Sequence, residues 1–229
     1  MFLNKGSVKR LIPLAALLLG GCLFGGGGND RLPPPPRRPA GAPPVTLNLP
    51  TSRETQQCYA DLSREEVRYS PLPDRDYGGG CTVIGAVQLI DIGVPVTGLK
   101  AMRCGLAEEF IGWTRNAVAP AAYQILGSRL VKVETFGTYA CRNTIGTATE
   151  RLSGHALANA VDVSAFVLED GRRISIEGDW RSDNDDVRRF LEVIHTSACK
   201  RFGTVLSPDY NAAHHNHLHL EDDHKNFCR

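Results

Sequence analysis

The chain contains no Cys-x-x-Cys pair, although it carries seven cysteines. Paired thiolates with zinc-finger spacing are therefore excluded. It has little charge excess of either sign: 26 basic against 25 acidic residues, a formal net charge of +1. Nothing in that balance supports an electrostatic footprint for nucleic acid, and none is expected as a partner. It shows no internal repeat, which argues against a solenoid. It also lacks an apolar run long enough to span a bilayer comfortably. The only candidate, Leu11 to Gly20, is short and follows the basic residues Lys5, Lys9 and Arg10. That arrangement reads as an export signal rather than a membrane anchor.

The end of that run is specific. Leu19-Gly20-Gly21-Cys22 resembles a bacterial lipobox, in which the cysteine is lipidated and becomes the new N-terminus. Residues 1–22 are then a lipoprotein signal peptide. Leu23 follows the cysteine where an aspartate is absent. By resemblance to lipoproteins of two-membrane bacteria, this implies the periplasmic side of the outer membrane. The alternative address is a soluble periplasmic or secreted form. Residues 23–48 are rich in glycine (Gly25 to Gly28) and then in proline (Pro33 to Pro36, Pro39, Pro43, Pro44). Such a stretch serves as a tether. The remaining segment, 49–229, is long enough for one domain with an adequate core.

If Cys22 carries lipid, Cys58, Cys81, Cys104, Cys141, Cys199 and Cys228 remain. An even set in an exported domain reads as three disulfides whose pairing is open. The turn-rich stretch around Pro71, Pro73 and Gly78 to Gly80 favours Cys58 with Cys81.

Apolar periodicity predicts a helix from Leu106 to Val118, closed by Pro120. A second is predicted from a cap at Asn184 or Asp185 through Val187, Phe190, Leu191, Ile194, Ala198 and Phe202, stopped by Gly203. On that helix His195 and Cys199 sit one turn apart, and packing and a disulfide are expected for them. Strands are predicted at Thr82 to Ile90, Leu130 to Phe136, Val161 to Leu168, Arg173 to Glu177 and His217 to Leu220. Asp170-Gly171 should turn a hairpin. The expected class is α+β, a mainly antiparallel sheet with helices on one face.

The candidate chemistry lies in His155, Asp162 and the run His214-His215-Asn216-His217-Leu218-His219. Alternate residues of a strand share a face, so His217 and His219 can point into one site, with Glu221 beside them. His214 is out of that register and needs a turn to approach. His155 and Asp162 would lie about 10.5 Å apart along a helix and roughly 23 Å apart on an extended strand. Neither suits two bonds of about 2 Å to one ion. The segment between them must fold back, and Ala156, Ala158 and Ala160 are small enough to allow it. Two imidazoles and a carboxylate form a ligand set suited to Zn2+, with a fourth position open. A salt bridge from an arginine such as Arg142 would also satisfy a buried Asp162.

Ser153-Gly-His155-Ala-Leu-Ala-Asn-Ala-Val-Asp162 resembles the signature of zinc D-alanyl-D-alanine carboxypeptidases. The ending at 214–219 is similar to that of penicillin-insensitive murein endopeptidases. Over 58–228 the chain resembles the bacterial extensin-like C-terminal domain family. The residues carrying this are Cys58-Tyr59-Ala60, Tyr139-Ala140-Cys141-Arg142, Asp179-Trp180 and Val205 to Asn211. The resemblance implies a zinc peptidase fold of the D-Ala-D-Ala carboxypeptidase and hedgehog type. It implies zinc ligands His155, Asp162 and His219, with His217 assisting catalysis and Arg142 holding a substrate carbonyl. The implied substrate is peptidoglycan peptide, and the alternative is a metal-containing module that binds the wall without turnover. Two departures stand out. Ala158 replaces the usual glycine, and Asn216 falls where the dipeptidases keep a catalytic glutamate, so His217 takes that role or Glu221 reaches in.

Overall fold

A computed structural model describes residues 49–145 and 151–229. The signal, the lipidation site Cys22 and the linker lie outside the described residues. The chain begins with helix α1 (Ser52–Arg64) and strands β1 (Arg68–Pro71), β2 (Arg75–Asp76), β3 (Thr82–Val83), β4 (Ala86–Asp91), β5 (Val96–Thr97) and β6 (Met102–Arg103). Helices α2 (Cys104–Trp113) and α3 (Ala119–Leu126) follow, joined by a π-helical turn over Thr114–Val118. Then come β7 (Leu130–Gly137), β8 (Ala160–Leu168), β9 (Arg173–Ser175), α4 (Ile176–Asp179), α5 (Asp185–Arg201), β10 (Thr204–Leu206), β11 (Leu218–Glu221) and β12 (Phe227–Cys228). The class is α+β.

The main sheet runs β12-β10-β11-β8-β7-β5, with β9 also paired to β8. Its pairs are antiparallel except β10 with β12 and β5 with β7. Helices α2 and α5 pack through a buried aromatic cluster in which Trp113 meets Phe110, Phe166 and Phe202. The Trp113 indole N–H donates to the Ile194 carbonyl at 3.0 Å, so burying it leaves no donor unpaired. A smaller sheet, β1-β4-β6, and the β2–β3 pair lie outside the main one.

Strand β8 must serve both the core and the site. Val161, Val163, Phe166 and Leu168 all join the core, which strict alternation forbids. A β-bulge resolves the conflict. Glu134 pairs with Ala165 while its neighbour Thr135 pairs with Val163, leaving Ser164 as the extra residue. A bulge reverses which side chains face which way. Asp162 therefore points away from the helices, while Phe166, four residues on, points toward them. Ser164 Oγ donates to the Glu134 carbonyl at 3.1 Å and satisfies the interrupted ladder.

Several expected boundaries shift. The predicted 106–118 helix does not close at Pro120. The π turn carries the chain on, with Ala119 N–H donating to the Thr114 carbonyl. Pro120 then falls in the first turn of α3, where a missing donor costs nothing, and Gly127 at φ 68° ends the helix. Gly203 is not a left-handed stop. Phe202 already leaves α5 in an extended conformation, and Gly203 is required because a Cβ there would overlap the His224 backbone. The strand expected over Thr82 to Ile90 breaks at Gly85, which is left-handed at φ 60°. The strand expected to reach Glu177 stops at Ser175, whose hydroxyl caps α4. β11 begins one residue later than expected, at Leu218. Helix α1 escaped the periodicity reading, although its signal was present. Thr51 and Glu54 form a capping box.

The disulfides correct the favoured pairing. Cys58 bonds to Cys104, and Cys81 to Cys141, so Cys58 and Cys81 are not partners. Cys199 bonds to Cys228. The glycine turn at 78–80 returns Cys81 toward β2 and leaves Cys58 inside α1, where it faces the start of α2. Peptide mapping under non-reducing conditions should recover the Cys58–Cys104, Cys81–Cys141 and Cys199–Cys228 linkages. Replacing Cys58 and Cys104 together by alanine should cost about 2–4 kcal/mol in denaturant titration. A recovered Cys58–Cys81 peptide would refute the arrangement.

Candidate metal centre

Ser153 starts the local geometry. Its hydroxyl accepts from the His155 N–H at 3.3 Å and opens a 3-10 turn over Gly154–Leu157. The turn ends at Ala158, which is left-handed at φ 53°. This is a conformation that glycine adopts freely and alanine adopts at a cost. Ala158 is fully buried against Val83 and Ala86, so its methyl packs in partial compensation. The Arg103 N–H also donates to the Ala158 carbonyl at 2.8 Å. The reversal sends the chain directly into β8, and Asp162 comes back alongside His155.

The other ligand comes from register. His219 lies directly opposite Asp162 in the β11–β8 ladder. Leu218 and Leu220 fill the core on the opposite face, so the ladder cannot slip by one residue without burying His219 among the helices.

The three side chains converge. His155 Nε2 is 3.0 Å from Asp162 Oδ2, His219 Nδ1 is 2.9 Å from Asp162 Oδ1, and the two ring nitrogens are 3.2 Å apart. Donors bound at about 2 Å around one tetrahedral ion stand roughly 3.3 Å apart. All three residues are buried.

Proton accounting separates this cluster from an ordinary polar network. His155 Nδ1–H donates to the Thr138 carbonyl at 2.9 Å. Its neutral form then presents a lone pair on Nε2. His219 Nδ1 lies 2.9 Å from Asp162 Oδ1 and its Nε2 3.4 Å from the Glu221 carboxylate, so either carboxylate can accept the ring proton, and a proton on Nε2 leaves a lone pair on Nδ1. Asp162 is an acceptor as well. With the proton on Nε2, three acceptors face one another across about 3 Å, a donor set that a cation can satisfy. Without a metal, a proton between His219 Nδ1 and Asp162 Oδ1 does the same. Burial opposes the charge on His219, but the Asp162 and Glu221 carboxylates push its pKa up to about 9. Burial also opposes charge on Asp162, yet the adjoining His155 and His219 rings hold its carboxyl well below the usual range.

Around this centre lie the other expected residues. His217 Nε2 is 3.4 Å from Asp162 Oδ1, and its Nδ1 is 2.9 Å from Asn216 Oδ1. Burial pushes the pKa of His217 below its ordinary value. Arg142 Nη2 stands 3.8 Å from Asp162 Oδ2, and the side chain is about one-third exposed. His214 reaches the group through a short 3-10 turn over Ala212–His214. Its ring centroid is 5.2 Å from that of His217, and burial lowers its pKa to about 4. Glu221 does not reach the open face. It stands behind His219, on the side away from Asp162, and serves to orient that ring. Gly154 makes room for it, since a Cβ there would overlap the Glu221 carboxylate.

A second cluster, His195 with Cys199 and Cys228, has ligand-like spacing. The disulfide occupies both sulfurs, and His195 packs with its Nε2 3.7 Å from each. Sequence reasoning missed Thr138, because a backbone carbonyl carries no residue signature. Glu221 does lie on the face expected for it, beside His219, because β11 continues through it.

Coordination through His155 Nε2 and His219 Nδ1 would fix both tautomers. In long-range 15N–1H correlation spectra of protein titrated with zinc, His155 should read as Nδ1-protonated and His219 as Nε2-protonated. The reverse tautomer at either ring would remove one of the three converging acceptors.

The family described as "Extensin-like protein C-terminus" matches residues 56–229. No curated protein and no solved structure matches the chain.

Proposed function

The chain belongs to the extensin-like C-terminal family, and we propose that it is a zinc-dependent hydrolase of peptide amide bonds in peptidoglycan, held at the outer membrane by lipid on Cys22. The observation that carries this reading is the convergence of His155 Nε2, Asp162 and His219 Nδ1, with donor atoms 3.2, 3.0 and 2.9 Å apart. That donor set fits zinc, and a zinc ion held by it would supply Lewis acidity toward a carbonyl oxygen and lower the pKa of water to near 7. A D-alanyl-D-alanine carboxypeptidase and hedgehog type of fold accords with the order of these residues along the chain.

The remaining work belongs to the chain's own side chains. His155 is oriented by the Thr138 carbonyl, and His219 by Glu221. His217 donates from Nδ1 to Asn216 Oδ1, which leaves Nε2 as an acceptor directed at the site. With its pKa pushed down by burial, His217 is neutral near pH 7 and able to accept a proton from an attacking water. It can then return that proton to the leaving amine. Arg142 lies within one guanidinium swing of the same space and can stabilise negative charge as it develops on the carbonyl oxygen.

One observation favours a second reading. Glu221 is turned away from the open face and position 216 is an asparagine, so among the described residues beside the centre His217 alone is placed as a base. A protein that keeps the metal and binds the wall without cutting it would share all the geometry above.

Purified protein never exposed to chelator should hold about one equivalent of zinc, and His219→Ala should hold under a tenth of that. Incubated with purified sacculi, the native protein should generate new peptide termini by mass spectrometry. His217→Ala should keep its zinc and lose roughly 10²–10⁴-fold in rate. Retention on sacculi with no new termini would favour the non-catalytic reading, and zinc-free native protein would defeat both. The anchor is tested separately. A Cys22→Ser protein should lose acyl label and partition into the soluble fraction.

A further inference from the structure

Two of the groups assigned above, the Thr138 carbonyl and the Arg142 guanidinium, belong to no helix and to no strand of a sheet. Thr138 to Thr144 leaves β7 and runs back against Arg151 to His155 as an irregular ribbon. Its bonds are the Ala140 N–H to the His155 carbonyl at 3.2 Å, the Ser153 N–H to the Arg142 carbonyl at 3.1 Å and the Thr144 N–H to the Arg151 carbonyl at 2.7 Å. The Asn143–Leu152 bridge is isolated. One side of this ribbon carries Thr138 and Arg142, and the other ends at His155. Among the described residues, few backbone hydrogen bonds hold this segment, and such bonds do not alone offset the entropy of ordering it.

Cys141 sits in the middle of the ribbon, between Ala140 and Arg142, and bonds to Cys81. Cys81 is fully buried. It closes the glycine turn at the end of the β2–β3 hairpin, where the Tyr77 N–H donates to the Cys81 carbonyl at 2.9 Å and the Cys81 N–H to the Gly78 carbonyl at 3.0 Å. Val83, two residues on, packs against Ala158, the left-handed residue that turns His155 back toward Asp162. Tyr139 of the ribbon meets Tyr77 of the hairpin, with ring centroids 5.5 Å apart. The hairpin thus touches the centre's framework in two places, at the ribbon through the disulfide and Tyr77 and behind the His155 turn through Val83.

We propose that the Cys81–Cys141 disulfide is a positioning device for the metal centre, fixing the ribbon so that the Thr138 carbonyl holds the His155 tautomer and Arg142 stays beside Asp162. It acts through Thr138 and Arg142 and touches no substrate. The inference deepens the zinc reading above and rests on it for its consequence, the affinity. The clamping itself is independent of any metal.

The test compares two cysteine pairs. Cys81→Ser with Cys141→Ser should keep the native far-UV circular dichroism and bind zinc roughly 10–100-fold more weakly, by competition with a chromophoric chelator, as loss of support behind a ligand does. Cys199→Ser with Cys228→Ser removes a disulfide between α5 and β12, neither of which carries a site residue. It should lower the thermal midpoint yet leave zinc affinity within about threefold of native, well short of the loss expected when ligand support is removed. Hydrogen exchange supplies the metal-independent readout. The Ala140 and Ser153 amides should exchange at least about tenfold faster in the first variant and unchanged in the second. Should the serine pair fail to fold, Cys81→Ala with Cys141→Val keeps an apolar contact at the same place, and the same readouts apply. Equal zinc affinity in native protein and the Cys81/Cys141 variant, or an equal loss in both variants, would overturn the proposal. If the native protein takes up no zinc, the functional reading fails instead. The clamp is then decided by the two amides, and unchanged exchange would overturn it.

Discussion

A carboxylate and two imidazoles share a buried space about 3 Å across. Left alone, such an arrangement is costly, since buried acceptors require donors. The Thr138 carbonyl takes the Nδ1 proton of His155, and Glu221 faces the outer nitrogen of His219. Either a proton between His219 and Asp162 or a cation among the three satisfies the group. The rest of the domain is arranged so that this tension persists through folding.

The arrangement persists because strong packing enforces it from behind. Leu218 and Leu220 on β11, and Val161 and Val163 on β8, lie in the core beneath the helices. They set the register that places His219 opposite Asp162. A slip by one residue would exchange those leucines for histidine and glutamate, at a cost of several buried apolar side chains, each worth about 1.5–3 kcal/mol. The Ser164 bulge lets the same strand feed Phe166 to the aromatic cluster while Asp162 faces outward. His155 is less securely placed. It depends on a 3-10 turn, a left-handed alanine and a ribbon tied by Cys141. The site thus joins a rigid half built on two central strands to a half held by turns and one covalent link.

The α+β class, the long α5 with its Asn184 cap, the Asp170-Gly171 hairpin and the central strands were legible, because binary patterning and turn chemistry are local. The site was legible in its membership for the same kind of reason. Alternate spacing brought His217, His219 and Glu221 to one side, and the impossibility of bridging His155 to Asp162 on regular structure required the reversal found at Ala158. Less was legible where two distant segments had to be matched. Disulfide pairing depends on which cysteines the fold brings together, and Cys58 reaches Cys104 only because α1 packs against α2. The helix running past Pro120 depended on a π turn that no periodicity of 3.6 announces.

By itself, the sequence determined which residues could act as ligands, that a turn must separate His155 from Asp162, and that the chain is built for disulfides. These follow from side-chain chemistry and from distances along one segment. Tertiary structure alone decided that His219 faces Asp162, that Glu221 stands behind the ring instead of at the open face, and that a backbone carbonyl at Thr138 sets the tautomer of His155. Those outcomes depend on inter-strand register, on the direction a side chain takes from its strand, and on the position of main-chain atoms. None of them leaves a mark on the order of residues, because each arises from contacts between segments far apart in the chain.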